Sequence, residues 1–228
     1  MDQHLLFLLN QRWTHPFLDR LLGTLSSIAF WIPLLVLGAA ALTWKLGARG
    51  AACIAICLLG ILLNESCIAQ PLKKLTHRAR PHQSMEGVRR VNLADVRPKL
   101  FSVGYPMQIS RSGPPDLSEK VRRSFPSAHV LNSTLLGVVL WCFLRWSGWL
   151  LLPLLMAWSR VYTGAHWPSD VLASLLMGVP FSLLLLRGCE FFWRGPLTRW
   201  RPRWTAGSPR LIFPLFPALG SDDQPGTP

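Results

Sequence analysis

Charged residues are scarce in this chain, and acidic ones scarcer still. Only 15% of the 228 residues are Asp, Glu, Lys or Arg, against roughly 25% in soluble domains. That shortage excludes an ordinary water-facing globule and fits a protein whose surface is largely lipid. Eleven acidic residues stand against 24 Lys and Arg, giving a formal net charge of +13 and a pI near 10.8. Its partners are therefore expected to be anionic. Nucleic acid is set aside among them, because the cations border apolar runs and no nucleic-acid-binding motif is present. Cys53, Cys57, Cys67, Cys142 and Cys189 form no CxxC pair, which argues for free thiols in helices and against a disulfide framework or zinc site. The N-terminus lacks a basic n-region, and Arg12, His15, Asp19 and Arg20 interrupt its first twenty residues. No cleavable signal peptide is expected. Internal repeats are missing too, so one compact unit is expected.

Apolar sequence is abundant: half the chain is hydrophobic and the mean hydropathy is +0.29. Residues 2–20 place Leu5, Leu6, Leu9, Trp13 and Phe17 at helical spacing, predicting an amphipathic helix in the membrane interface. Uncharged Leu21–Trp44 is long enough to span a bilayer, which needs about 20 apolar residues. Ala51–Leu72 predicts a second span that carries Glu65 and runs into Lys73. Val130–Leu144, the short Trp149–Tyr162 and residues 171–186 supply the rest. The tryptophans Trp13, Trp31, Trp141, Trp146, Trp149 and Trp167 fit interfacial belts. The expected fold is all-α: a polytopic transmembrane helical bundle of about five to six spans plus the interfacial helix. Its expected parts are that helix (1–20), a transmembrane domain (21–210) with an extramembrane loop (82–125), and a tail (211–228) whose end reads as disordered. The loop, rich in proline and charge, has the character of a lid or binding element.

Three short stretches carry the chemistry: Lys73-x6-Arg80-Pro81, Pro126-Ser127-Ala128-His129, and Ser159-Arg160-x5-His166-x3-Asp170. Alternating spans place all three on one membrane face. Lys73 and Arg80 lie two turns apart on one helical face, and Pro81 favours ending that helix. Read alone, Lys73, Lys74, Arg78 and Arg80 equally suit a basic collar that snorkels to headgroups. Ser127 suits an N-cap that leaves backbone N–H groups for an anion, with His129 in the first turn; a capped helix with an incidental histidine fits as well. Pro168 suits the first turn of the last helix. Asp170, four residues after His166, could hold one ring nitrogen and leave the other free to attack. Arg160 offers a planar fork matched to phosphate oxygens. Its bland counterpart is an Arg–Asp pair closing a turn beside a space-filling histidine. Glu65 could be a proton relay or headgroup contact, or simply pair with a cation. His77 and His82 flank Arg80 as solvated-loop residues, with His77 a possible accessory group. The inventory of three cations, two imidazoles and a carboxylate suits cleavage of a phosphate ester without a metal.

These three stretches, in this order, resemble the signature of the type 2 phosphatidic acid phosphatase superfamily, in its membrane lipid phosphatase branch. The resemblance covers Lys73 to Asp170. It implies that His166 is a nucleophile forming a phosphohistidine, that Asp170 orients it, and that His129 protonates the leaving oxygen and later activates water. Lys73, Arg80 and Arg160 would bind the phosphoryl oxygens, helped by Ser127 and backbone around Ala128. No metal or other cofactor is implied. Ala128 stands where the family usually has glycine, which would strain the chain only at a positive φ.

The expected function is hydrolysis of a lipid phosphate or diphosphate, with isoprenyl diphosphate or phosphatidylglycerol phosphate foremost. A lipid A phosphatase or lipid phosphotransferase is the alternative, and a non-catalytic lipid-binding membrane protein is the reading from another class. Partners are the lipid substrate and the bilayer; oligomeric state is not legible. The Pro71–Pro126 loop carries twelve Lys and Arg against nine in the opposite segments, so charge alone does not place the site outside. The resemblance favours a multi-pass protein of a bacterial inner membrane with an extracytoplasmic site.

Overall fold

The computed structural model describes residues 1–115, 122–205 and 210–212. Among them the chain is almost wholly helical, and three helices are long and apolar enough to cross a membrane: Ile28–Leu46, Ala48–Thr76 and Pro168–Trp200. Two shorter apolar helices, α7 (Ala128–Leu144) and α8 (Leu151–Tyr162), complete the bundle. It is an all-α, multi-pass membrane architecture.

The N-terminal region departs from the expected single helix. It divides into α1 (Asp2–Phe7), a π-helical turn (Leu8–Arg12) and α2 (Pro16–Leu25). Pro16 causes the break: the residue before a proline avoids helical geometry, so His15 is extended and caps α2 by accepting from the Phe17 N–H. The expected stripe also splits, with Leu6 fully buried while Trp13 and Phe17 are exposed. The first span likewise starts later than Leu21, because Ser26 and Ser27 separate α2 from α3 (Ile28–Leu46). No residue of α3 is buried, as suits an all-apolar helix that faces lipid.

The second long helix contains α4 (Ala48–Leu63), a π-helical stretch (Asn64–Ala69) and α5 (Gln70–Thr76). Pro71 cannot donate to the ladder, and the wide turn just before it accommodates the defect. α7 sits at the centre and packs on α4, α8 and α9 (Pro168–Phe192). Its Leu135, Val139, Cys142 and Phe143 join Cys53 and Ile56 of α4 and Leu186 of α9 in the main core. Gly178 lets α9 approach closely, since a Cβ there would lie 2.9 Å from Thr134 Cβ; small residues serve this purpose between membrane helices. Ser133, Thr134, Ser174 and Ser182 return their hydroxyl protons to carbonyls three or four residues back, so these four donors are not left open in the apolar interior. The last helix runs on through a π turn to Trp200, well past the expected end at 186.

The loop expected to be irregular holds order of its own. After α6 (Pro81–Ser84), β1 (Arg89–Asn92) pairs antiparallel with β2 (Gln108–Arg111), Arg89 opposite Arg111, and a 3-10 turn (Lys99–Gly104) lies between them. All five cysteines are free thiols. Most of the tail, including the part read as disordered, lies outside the described residues.

Candidate active site

Each of the three sequence stretches is positioned by a different local device. At the end of α5, His77 takes a left-handed conformation (φ 47°) and stops the helix. Lys73 therefore lies on α5, while Arg80 follows in extended backbone as the N-cap of α6 (φ −71°, ψ 154°). The expectation that both share one helical face is corrected. The restriction that Pro81 imposes on Arg80 and the turn at His77 redirect the chain before a second turn is made. Two backbone ties then hold this segment to the others. Ser124 N–H donates to the Arg78 carbonyl at 2.7 Å, and Trp167 Nε1 donates to the Ala79 carbonyl at 3.0 Å. Trp167 is thus buried and structural, not part of an interfacial belt.

The second stretch opens α7. Ser127 occupies the N-cap position, as expected, but its hydroxyl makes no capping bond and is buried without a partner. Its N–H donates to Ser174 Oγ at 2.9 Å, docking the start of α7 on α9. Ala128 begins the helix in ordinary right-handed geometry, so its methyl group causes no strain. His129 projects from the first turn and remains accessible.

The third stretch folds back on itself. Gly164 (φ 68°) makes the turn after α8, a conformation glycine adopts without a Cβ penalty. The Ala165 and His166 N–H groups then both reach the Arg160 carbonyl, at 3.1 and 3.2 Å. This reversal brings His166 back beside Arg160 across the five-residue gap. α9 begins at Pro168 with Trp167 as N-cap, as the sequence predicts.

The result is one cluster. His129 interacts electrostatically with Arg160, Arg80 and Lys73, and His166 with Arg160, Arg80 and His129. Arg160 is 8% exposed and His166 2%. Burial first, then the neighbouring guanidinium groups, push the His166 imidazole well below the ordinary histidine range, which favours the neutral ring. Arg80 Nε, Arg160 Nε, Ser127 Oγ and His166 Nδ1 are all buried without a hydrogen-bond partner. Buried polar atoms are normally satisfied, so open guanidinium nitrogens on two cations that also repel each other electrostatically suit an anion. Glu65 sits at the margin, accepting from Asn132 Nδ2 at 3.3 Å and within electrostatic reach of Lys73. His77 is exposed at its turn, outside the cluster.

Asp170 is fully buried, with Oδ2 3.9 Å from His166 Nδ1, too far for a hydrogen bond. The carboxylate instead accepts from Arg78 Nη1 (2.5 Å), from Ser124 Oγ and from the Trp167 N–H (3.1 Å). Arg78, Ser124 and Asp2 are site neighbours that the sequence did not single out. Arg78 lies in the gap of the first stretch, where it read as one more collar cation.

Comparison with known proteins follows this geometry. The chain is 50% identical over 60 residues, 25% of its length and 30% of the relative's, to YbjG of Escherichia coli (strain K12), named as an undecaprenyl-diphosphatase. It is 34% identical over 82 residues, 35% of its length and 37% of the relative's, to the bacitracin transport permease protein BcrC of Bacillus licheniformis. The matched part is thus about a third of each curated relative. No solved structure matches. The family model of the PAP2 superfamily matches residues 54–194, more than half of the chain and every residue of the cluster, and the chain belongs to that superfamily.

Proposed function

We propose that this protein is a membrane phosphatase that removes the terminal phosphate of an isoprenyl diphosphate. The observation that carries the proposal is the cluster of Lys73, Arg80 and Arg160 around two histidines, with Nε of both Arg80 and Arg160 buried and without a hydrogen-bond partner. Such an array matches a phosphoryl group, whose oxygens accept from every one of these donors. The name carried by YbjG supports an isoprenyl diphosphate over other lipid phosphates, and the bacitracin connection of BcrC is compatible with it.

In the proposed reaction the substrate's terminal phosphoryl oxygens settle among Lys73, Arg80, Arg160 and Ser127. His166 attacks phosphorus through the nitrogen distal to Asp170, forming an N–P bond as the P–O bond to the lipid monophosphate breaks. His129, charged once the bound phosphoryl anion offsets Lys73, Arg80 and Arg160, gives a proton to that departing oxygen. It then takes one from water, which cleaves the N–P bond and releases inorganic phosphate. Because His166 is held neutral, its lone pair is available at physiological pH. The chemistry draws its electrophilic assistance from the three cations, so no metal is required. Headgroup choice falls to the ordered loop, where His82, Arg90 and Arg111 line a cavity of about 190 Å³. The site faces away from the cytoplasm, in a bacterial inner membrane. A reporter enzyme fused after Arg210 and active only outside the cytoplasm would reverse that orientation.

The test is phosphate release by purified protein in detergent with EDTA. The panel is isoprenyl diphosphates, phosphatidylglycerol phosphate, phosphatidate and lipid A, with His166→Ala as control. Release that prefers the isoprenyl diphosphate, resists EDTA and is lost in the variant is the expected result. Preference for another lipid would reassign the substrate, and equal release by His166→Ala would overturn the mechanism.

A further inference from the structure

We infer that Arg78 is a positioning residue for the active site and that α1 belongs to the same machinery through Asp2; this rests on the phosphatase reading above. The Asp170 carboxylate approaches His166 Nδ1 from α9, and Arg78 is the one Lys or Arg among the described residues that holds it. The Arg78 guanidinium is itself fixed on all sides. Nη1 reaches Asp170 Oδ1 at 2.5 Å and Ser169 Oγ at 2.8 Å, Nη2 reaches Asp2 Oδ2 at 2.6 Å, and its carbon lies 5.3 Å from the Trp167 ring centre. Asp2 in turn accepts from the Ser169 N–H at 2.9 Å and from Ser169 Oγ at 2.5 Å. One planar fork thus ties α1, the α5–α6 link and the first turn of α9 to a single carboxylate. A guanidinium suits this because its donors diverge in one plane and stay charged when half-buried.

The geometry explains an otherwise puzzling distance. His166 Nδ1 has no partner while the nearest carboxylate oxygen waits 3.9 Å away. Asp170 is pulled toward Arg78 on one oxygen and toward Ser124 and the Trp167 N–H on the other. Where the carboxylate stands relative to the imidazole is therefore set by Arg78 on Oδ1 together with Ser124 and the Trp167 N–H on Oδ2. Arg78 stands apart from the phosphate cradle: its hydrogen bonds go to Asp170, Ser169 and Asp2, and it is not among the cations that act on His129 or His166. Leu6, four residues along α1 from Asp2, is fully buried against Val88, Val130 and Trp167, which anchors the clamp.

The experiment uses the full chain in detergent with undecaprenyl diphosphate, comparing wild type with Arg78→Gln, Arg78→Lys, Asp2→Asn and the Arg78→Gln/Asp2→Asn pair. Arg78→Gln should lower kcat on the order of 10²-fold, the effect of a reacting group displaced by about 1 Å, with KM changed by less than about threefold because the cradle is intact. Arg78→Lys should recover part of the loss. Asp2→Asn should lower kcat by about tenfold, and the double variant should be no worse than Arg78→Gln, since Asp2 acts through Arg78. A wild-type kcat in Arg78→Gln would overturn the inference. So would a loss seen in KM instead of kcat, or additive effects in the pair. If Arg78→Gln does not fold, Asp2→Asn carries the test: its kcat falls at unchanged KM, or the inference fails. Wild type inactive on every lipid, or His166→Ala as active as wild type, would instead remove the phosphatase reading on which the inference stands.

Discussion

Two clusters of buried charge meet at the end of α8, built on opposite plans. One is the network of Asp19, Arg89 and Tyr162. Arg89 Nη2 donates to both Asp19 oxygens at 2.9 and 2.8 Å, and the Tyr162 hydroxyl donates to Asp19 Oδ1 at 2.6 Å. Asn10 fastens the same region, giving its amide protons to the Arg89 and Tyr162 carbonyls at 2.8 and 2.7 Å. The other cluster, two residues earlier in α8, is Arg160 with His166, Arg80, Lys73 and Ser127. There like charges face one another and four polar atoms are left open. The first cluster has its counter-charge hydrogen-bonded inside it; in the second, among the described residues, no carboxylate pairs directly with a cation, and Glu65 reaches Lys73 only electrostatically. Burial alone does not separate the two clusters, and neither does satisfaction of every atom, since Arg89 Nη1 is also buried without a partner; a carboxylate hydrogen-bonded to the cation does.

Removing groups from the two clusters should therefore have opposite signatures, and the largest effect is on activity. His166→Ala should lose more than about a thousandfold in kcat while the thermal midpoint in detergent holds or rises, because an open buried polar group has been deleted. A destabilised His166→Ala would break the comparison by making that ring structural. In the ion-paired cluster, Asp19→Ala strands the Arg89 charge in the interior and should cost about 3–5 kcal/mol of stability. The turnover of the remaining folded protein should be close to wild type. Chemical denaturation paired with activity per folded molecule would check it.

The cluster proposed as the site was far more legible in the sequence than the Asp19–Arg89–Tyr162 network, for a physical reason. Arg160, His166 and Asp170 are joined by one helix end, one glycine turn and one helix start, so local rules place them. His129 and Lys73 follow from helix alternation. Asp19, Arg89 and Tyr162 come from three distant segments, and nothing local announces that they meet. The same limit hid Arg78, whose partners are 76 and 92 residues away. It also hid the β1–β2 pairing, which a four-residue strand barely signals. The shared helical face assigned to Lys73 and Arg80 failed for the converse reason: spacing of seven was read as helix although Pro81 and the turn at His77 end it. The N-terminal helix failed similarly at Pro16.

A ligand sharpens the comparison further. Vanadate, which mimics the transferring phosphoryl group, supplies the counter-charge that the open cluster lacks. At about a hundredfold its Kd it should stabilise wild type by about 2.7 kcal/mol, read as a rise in the melting midpoint. Arg160→Gln should lose most of that rise. Asp19→Asn should keep it, since the closed cluster gains nothing from an anion.

The smallest effect is on the pH dependence of stability. His166 is held well below its ordinary range by burial and by the Arg160 and Arg80 charges, whereas in the unfolded chain it titrates near 6.5. Below that pH the unfolded state binds a proton that the folded state refuses, so stability falls as pH drops, by at most about 1.4 kcal/mol per unit for this one ring. His82 is lowered too, chiefly by burial, and contributes with the same sign, so the informative quantity is the difference between wild type and His166→Asn. The variant should show a shallower decline between pH 6.5 and 4.5. Bound vanadate should shrink the same slope in wild type, because an anion beside the ring favours its protonated form and brings the folded pKa back toward the unfolded one. A slope that vanadate leaves unchanged would mean that the anion does not sit beside His166, and the open cluster would no longer be the place where the phosphoryl group binds.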